Sequence, residues 1–294
     1  MLSILVPIYN FDVVSFVTDL HYQATRAGQP FEILCYDDAS EPEFRSGNRV
    51  VERLENVTYL DLPENLGRSR IRNRLAQDAA FPFLLFVDCD SVTVSKGYIS
   101  NYLRHCREDA VIYGGRCYQT TPPNAANKYL RWHYGVERET FSAQERNRAP
   151  YRMFLTNNYL IPKSIQLSVP FNEQLMGYGH EDTLLGYDLK QRSIPIEHID
   201  NPLCHIGLED AESYLSKTEE GLRNLHFIIS EGYADEDIKL YKYFNALRTM
   251  RLSGLVRTWF RGRKETIVRN LLSDRPRLRN FDLFKLGVLL EISS

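Results

Sequence analysis

The 294-residue sequence predicts an α/β fold, a doubly wound and mostly parallel sheet followed by a helical C-terminal extension. Three observations carry this expectation. Strand-like and helix-like patterns alternate four times within about the first ninety residues, the βαβ signature of right-handed crossovers. The fourth apolar run, Leu84-Leu85-Phe86-Val87, is unbroken, as in a strand covered on both faces. The alternation stops near Leu208, and the remainder of the chain reads as helix. Two units are therefore expected, residues 1–207 and residues 208–294.

The first strand spans residues 2–6 and is ended by Pro7-Ile8-Tyr9-Asn10. A helix to about residue 27 comes next, with Val13, Val14, Phe16, Val17 and Leu20 near helical spacing, and Gly28 and Pro30 stop it. The second strand, 31–36, runs into Asp37-Asp38-Ala39-Ser40. A polar helix at 42–54, a strand at 57–60 and the loop Pro63-Glu64-Asn65-Leu66-Gly67 lead to a basic helix at 68–80. The strand at 83–87 ends in Asp88-Cys89-Asp90. A helix at 96–107 and a strand at 110–116 come next. Residues 117–150 lack regularity, and loops of this length are usually functional or disordered. A strand-like run at 154–161 contains Thr156-Asn157-Asn158. Gly177-Tyr178-Gly179-His180-Glu181-Asp182 then opens a helix through Leu184, Leu185 and Leu189, with two acids in its first turn where the dipole favours them. A short strand at 194–199 is closed by Pro202-Leu203-Cys204-His205, and residues 211–275 read as helical.

Composition removes several function classes. A net charge of −2 gives no global field for nucleic acid. Five scattered cysteines without C-x-x-C spacing fit a reducing compartment, with neither disulfides nor a zinc cage. No apolar run approaches the roughly 20 residues of a membrane span, and Pro7 cuts the first one short, so a cytoplasmic protein without a signal peptide is expected. The glycine fingerprints of dinucleotide sites and P-loops are absent.

Chemistry concentrates where strands end. A parallel sheet puts its strand C-termini along one edge, so Asn10, Asp38 and Asp90 can share a cleft. Asp88 and Asp90 are costly to bury unpaired, and hard oxygen ligands suit Mg²⁺ or Mn²⁺. The plainer alternative is a strand-end turn with solvated acids. In the extension, residues 240–264 hold seven Lys/Arg and no acid. Leu240, Phe244, Leu247, Leu252, Leu255, Val256 and Trp259 add an apolar stripe. Two readings stay open, a helix packed on the first unit with a solvated basic face, or peripheral contact with an anionic membrane.

Val6-Pro7-Ile8-Tyr9-Asn10, Asp37-Asp38-Ala39-Ser40, Asn65-x-Gly67 leading to Arg72-Asn73, Asp88-Cys89-Asp90 and Gly179-His180-Glu181-Asp182 occur in that order. Together they resemble the family 2 glycosyltransferases of the GT-A fold, over about residues 1–207. The resemblance implies a nucleotide-sugar donor, commonly a UDP-sugar, and inversion at the anomeric carbon. It implies that Pro7 and Tyr9 flank the base and ribose and that Asp38 binds the uracil or its ribose. Arg72 would approach the uridine or phosphates, with Arg68, Arg70 and Arg74 as competitors. Asp88 would contact the ribose. Asp90 would bind Mn²⁺ or Mg²⁺, and His205 resembles a metal-binding histidine after the last core strand. Asp182 matches the catalytic base, and Glu181 would help place the sugars. The Gly-x-Gly-x-Glu-Asp form is similar to that of β-galactosyl and N-acetylgalactosaminyl transferases. Ala39 stands where glycine is commoner, and Cys89 occupies a position that varies.

That chemistry is coherent in physical terms. Displacement at an anomeric carbon needs a base on the acceptor hydroxyl and neutralisation of the departing diphosphate. It needs no protein nucleophile, and no Ser/His/Asp or Cys/His arrangement is evident. The expected acceptor is a glycan or lipid-linked glycan, as in bacterial surface polysaccharide assembly, with Trp132, His133 and Tyr134 as candidates to shape its pocket. Two rivals remain. A sugar-phosphate nucleotidyltransferase uses a similar sheet but normally opens with a Gly-rich loop that is missing here. A non-catalytic sugar-nucleotide-binding protein would not need Asp90, Asp182 and His205 together.

Overall fold

The computed structural model describes residues 1–175, 177–233 and 238–293. Strand β1 (Leu2–Ile8) leads through α1 (Val14–Ala27), β2 (Phe31–Asp37), α2 (Pro42–Asn48), β3 (Val57–Asp61) and α3 (Arg68–Asp78) to β4 (Phe83–Val87). Next come β5 (Ser91–Thr93), α4 (Tyr98–Arg104), β6 (Val111–Tyr113), β7 (Arg116–Cys117), α5 (Tyr129–Arg138) and α6 (Ala143–Arg146). After these stand β8 (Asn158–Pro162), α7 (Lys163–Ser168), α8 (Glu181–Gln191), β9 (Ile196–His198) and β10 (Leu203–His205). The extension is α9 (Ala211–Ser230), α10 (Lys239–Thr249), α11 (Ser253–Leu271) and α12 (Leu278–Ile292). Within the span expected to be helical, residues 234–237 lie outside the described residues.

The main sheet has the order β3-β2-β1-β4-β8-β6-β9. Its first four strands run parallel, and β8 lies antiparallel to both β4 and β6. Alternation along β4 explains its unbroken apolar run. Leu85 and Val87 join the core under α1 and α4, while Leu84 and Phe86 join the core under α3 and α8. Period 2 sends neighbours to opposite faces, and helices cover both, so all four of these residues are apolar and buried. β1 obeys the same rule, with Ile4 and Val6 on one face and Leu5 on the other.

Four expectations are corrected. The strand expected at 110–116 is two strands in different sheets. The chain turns at Gly114 and Gly115, where a Cβ on Gly114 would lie 2.3 Å from the Tyr102 hydroxyl. That crossing is held by the buried Asn158 side chain, which accepts from the Tyr98 and Tyr102 hydroxyls and donates to the Gly115 and Asn201 carbonyls at 2.6–3.0 Å. The run at 154–161 becomes strand only from Asn158, so that this side chain can reach the crossing. Residues 117–150, expected to be irregular, contain α5, whose Leu130 and Tyr134 pack into the core of α9–α12. Helix 42–54 also stops early, at Asn48, and tightens into a 3-10 turn over Arg49–Arg53.

A small second sheet, β5-β10-β7, matters most for the site. β5 starts right after Asp90, and β10 pairs with it antiparallel so that His205 sits opposite Ser91. This register brings His205 beside Asp90 from more than a hundred residues away in sequence. Among the described residues, no helix is long and apolar enough to cross a membrane.

Candidate active site

β1, β2 and β4 end side by side, and the residues just past them open into one cleft. Pro7, Tyr9, Asp38, Arg72, Asp88 and Asp90 line a cavity of about 450 Å³. An adjoining cavity of about 310 Å³ shares Arg68, Asp88, Asp90 and Tyr178 with it and adds Glu181, Asp182 and His205. The nine residues given roles by the resemblance thus line two contiguous spaces, whereas Asn10, expected to share the cleft, lines neither and instead accepts the Glu41 N–H at 2.7 Å. Of the three aromatic candidates at 132–134, Tyr134 alone reaches this region. Trp132 is buried and donates its indole N–H to the Gln119 carbonyl at 2.8 Å, and His133 lines a separate cavity with Arg277 and Arg279.

The two acids after β2 divide their work. Asp37 is fully buried, accepting from the Ser40 N–H at 2.7 Å and the Tyr59 hydroxyl at 2.8 Å, and so fixes the turn. Asp38 faces the cleft and accepts the Leu66 and Gly67 N–H groups at 2.6 and 3.0 Å, clamping the loop before α3. Burial raises its pKa, against the opposing pull of those two N–H groups.

Asp88 is held from both sides, by Arg72 at 2.7 Å and by Arg116 at 3.3 Å. Arg72 is buried at 3% exposure, and its other terminal nitrogen donates to the Arg68 carbonyl at 3.2 Å. Both terminal nitrogens are therefore committed to protein partners, while its buried Nε has no hydrogen-bond partner. Arg72→Met leaves Asp88 half-paired and is expected to cost about 3 kcal/mol, read by urea unfolding, because breaking a buried pair strands a charge.

Asp90 Oδ1 lies 3.2 Å from His205 Nδ1. The contact lacks hydrogen-bond geometry, and neither that oxygen nor either ring nitrogen of the buried His205 has a hydrogen-bond partner. Burial opposes the Asp90 anion, but His205, Arg116 and Arg68 outweigh it and hold the carboxyl below the usual range. Orphaned oxygen and nitrogen donors facing each other in a cleft fit a divalent cation. Among the described residues, no group of three or more His, Cys, Asp or Glu could hold a metal, so the protein offers two donors here. That suits Mg²⁺ or Mn²⁺, which commonly take one or two protein ligands and complete their shell with phosphate and water. Gly207 packs against Asp90, and a Cβ there would stand 2.7 Å from the Asp90 Cβ.

The Gly177–Gly179 turn delivers the remaining acids. Gly177, Gly179 and His180 all have positive φ, at 72°, 94° and 67°. Gly179 also sits against α9, where an added Cβ would be 3.2 Å from the Gly221 Cα, and Asn224 donates to the Gly179 carbonyl at 3.0 Å. The turn sets Glu181 and Asp182 in the first turn of α8. Burial works against the Glu181 anion, but Arg68 at 2.6 Å prevails and lowers its pKa. For Asp182, burial first and the Glu181 charge second push the pKa up to about 6, although Thr183 N–H donates to it at 2.7 Å.

With this geometry in view, the comparison with known families is decisive. The model of "Glycosyl transferase family 2" matches residues 3–167, more than half of the chain. The chain belongs to this family. It is 28% identical, over 67% of its length, to validoxylamine A glucosyltransferase of Streptomyces hygroscopicus subsp. limoneus, covering 49% of that protein. It is 22% identical to chondroitin synthase of Pasteurella multocida over 69% of its length, covering 24% of that protein. The chain thus spans half or less of these curated relatives. Among solved structures, the mannosyltransferase PcManGT of Pyrobaculum calidifontis, in complex with GDP-Man and Mn²⁺, aligns over 98% of this chain and 86% of its own, with TM-score 0.60 at 12% identity. S. aureus TarS residues 1–349 with UDP-GlcNAc align over 99% and 90%, with TM-score 0.50 at 16% identity. The fold of this transferase is GT-A, an α/β sheet followed by helices.

Several residues of the cleft escaped sequence reasoning. Arg116 and Arg131 meet at Glu139, at 3.4 and 3.2 Å, and Arg131 reaches Glu209 at 3.5 Å. The two arginines hold the partly buried Glu139 carboxyl down to about 2 against its desolvation. This chain of charges ties Asp88 to the extension. In sequence these residues look like solvated charge in an irregular segment, and only their pairing across elements marks them. Lys217, Thr218 and Leu222 of α9, with Phe281 and Lys285 of α12, wall the inner cavity, so the extension is part of the cleft.

Proposed function

We propose that this protein moves a sugar, with inversion at the anomeric carbon, from a nucleotide-sugar donor, foremost a UDP-sugar, to a hydroxyl of a glycan or lipid-linked glycan. One observation carries the reading. Of the five cleft carboxylates singled out in the sequence, Asp88 and Glu181 are paired with arginine, Asp38 is clamped by two N–H groups and Asp90 faces His205, while Asp182 is in no ion pair among the described residues. An unpaired carboxylate with a pKa near 6 is fitted to accept a proton at neutral pH.

In this reading Asp182 takes the acceptor hydroxyl proton as that oxygen attacks the anomeric carbon opposite the leaving diphosphate. Glu181, fixed by Arg68, helps to place the sugars. Pro7 and Tyr9 flank the base and ribose, and Asp38 retains lone pairs for the uracil or its ribose. Asp88 contacts the ribose, and Arg72 acts through Asp88, which leaves Arg68 as the arginine nearest the phosphates. Asp90 and His205 would hold Mn²⁺ or Mg²⁺, which when bound supplies Lewis-acid neutralisation of the diphosphate. The complexes of the structural neighbours with GDP-Man and Mn²⁺, and with UDP-GlcNAc, support a nucleotide-sugar donor. The Gly-x-Gly-x-Glu-Asp form favours a galactosyl or N-acetylgalactosaminyl donor.

A third cavity, of about 560 Å³, lies on the other side of Asp182 and is lined by Tyr134, Tyr151, Arg152 and Tyr187 together with Lys285 of α12. We assign the acceptor to it. Residues 1–207 would then carry the donor and the base, and residues 208–294 would complete the acceptor side of a cytoplasmic enzyme. A panel of sugar nucleotides with Mn²⁺ tests the reading by thermal stabilisation. One uridine donor is expected to raise Tm, by an amount equivalent to about 2.7 kcal/mol at a hundredfold excess over Kd, and to be hydrolysed slowly. If no sugar nucleotide raises Tm, with or without metal, the reading fails.

A further inference from the structure

The corner between α10 and α11 carries a surface that the transfer site does not use. Met250, Leu252, Leu255 and Trp259 stand 65%, 40%, 69% and 46% exposed. Leu252, Leu255 and Trp259 fall at i, i+3 and i+7, so they form one stripe along α11. Phe260, Ile267 and Leu271 of the same helix point into the bundle core, roughly a third of a turn away at 3.6 residues per turn. The stripe is therefore surplus to folding.

Positive charge surrounds it. Arg248, Arg251 and Arg257 line a cleft of about 440 Å³ with His226 and Ser253. None of these three arginines forms an ion pair among the described residues, whereas Arg261 and Lys264, further along α11, share Glu291. Residues 240–264 contain no acid. Unpaired arginines around exposed Leu, Met and Trp are a poor surface for water and a good one for a lipid interface. Guanidinium groups bind phosphate bidentately, and tryptophan prefers the headgroup level. A second copy is the rival occupant, but a twofold contact here would press two unpaired arginine clusters together, and like charges repel.

We propose that the α10–α11 corner docks on an anionic phospholipid bilayer, with Arg248, Arg251 and Arg257 on lipid phosphates and Met250, Leu252, Leu255 and Trp259 in the interface. With no helix able to span among the described residues, the contact is peripheral. It rests on exposure and charge at this corner alone and is independent of the donor and catalytic assignments.

The test is flotation of the full chain with vesicles of phosphatidylglycerol and phosphatidylcholine in equal parts, beside vesicles of phosphatidylcholine alone. Binding is expected to be at least about tenfold greater on the anionic vesicles and to fall as salt rises. Leu255→Ser with Trp259→Ser, and separately Arg248→Gln with Arg251→Gln and Arg257→Gln, should each lower binding about tenfold with Tm unchanged. Equal recovery on both vesicle types overturns the proposal, as does wild-type flotation of both variants. A concentration-dependent dimer in light scattering, lost in Trp259→Ser with no flotation of the wild type, also overturns it and assigns the corner to a second copy.

Discussion

Asp182→Asn is expected to lower sugar transfer by about 10²–10⁴-fold, the range for loss of a general base, while nucleotide binding and the fold survive. Asparagine keeps the shape and the contact with Thr183 but cannot take the acceptor proton. In the wild type, the rate should rise with pH through a single limb near 6, where burial and the Glu181 charge have moved this carboxyl. The residual rate of the variant should be flat across that limb. Glu181→Gln removes the repelling charge and frees Arg68, so the limb should move to lower pH even as the rate falls. Stability runs the other way. The Asp182 pKa is raised on folding, so its stabilising share is complete below the ordinary value of 3.8 and is lost as pH climbs through about 6. Asp182→Asn should therefore melt higher than wild type at pH 8 and no higher at pH 3. Thermal melts at the two pH values measure this, and equal melting points at pH 8 would refute the assignment of a base whose pKa is raised on folding.

Asp90→Ala should abolish metal-dependent donor binding, a loss of at least about 100-fold in Mn²⁺ affinity measured by calorimetry in the presence of UDP. His205→Ala should do the same, since Asp90 and His205 are the two donors proposed for the cation. Gly207→Ala is the subtler probe. Its methyl group would stand 2.7 Å from the Asp90 Cβ, so the carboxylate must shift without being removed. An intermediate loss of about 10–100-fold is expected, with metal-free UDP binding retained. If all three variants bind Mn²⁺ and UDP as tightly as wild type, the cation is held elsewhere.

The legible and illegible parts of the chain differ by range of interaction. The first four strands and the helices between them were readable because period 2 and period 3.6 are local signals, and β4 announced its two-sided burial in Leu84-Leu85-Phe86-Val87. The small sheet was not, because strands as short as Arg116–Cys117 carry no period at all. Asn158 looked like a polar blemish in a strand, yet it bonds two tyrosines and two carbonyls at the crossing between sheets. α5 was hidden by charge and by Pro122-Pro123, although Leu130 and Tyr134 keep helical spacing. The site acids were visible as motifs, but their division of labour was not. Only tertiary pairing separates the structural Asp37 from Asp38 in the cleft, or the committed Arg72 from Arg68.

The central claim is that carboxylates from separate strand ends meet a cation beside a nucleotide cleft. Crystals grown with UDP and MnCl₂, measured at the manganese absorption edge, test it most directly. An anomalous peak is expected between Asp90 and His205, with the uridine against Tyr9 and Asp38 and the Asp182 carboxylate free of the metal. A manganese peak bound to Asp182, or uridine density outside the cleft, would contradict it.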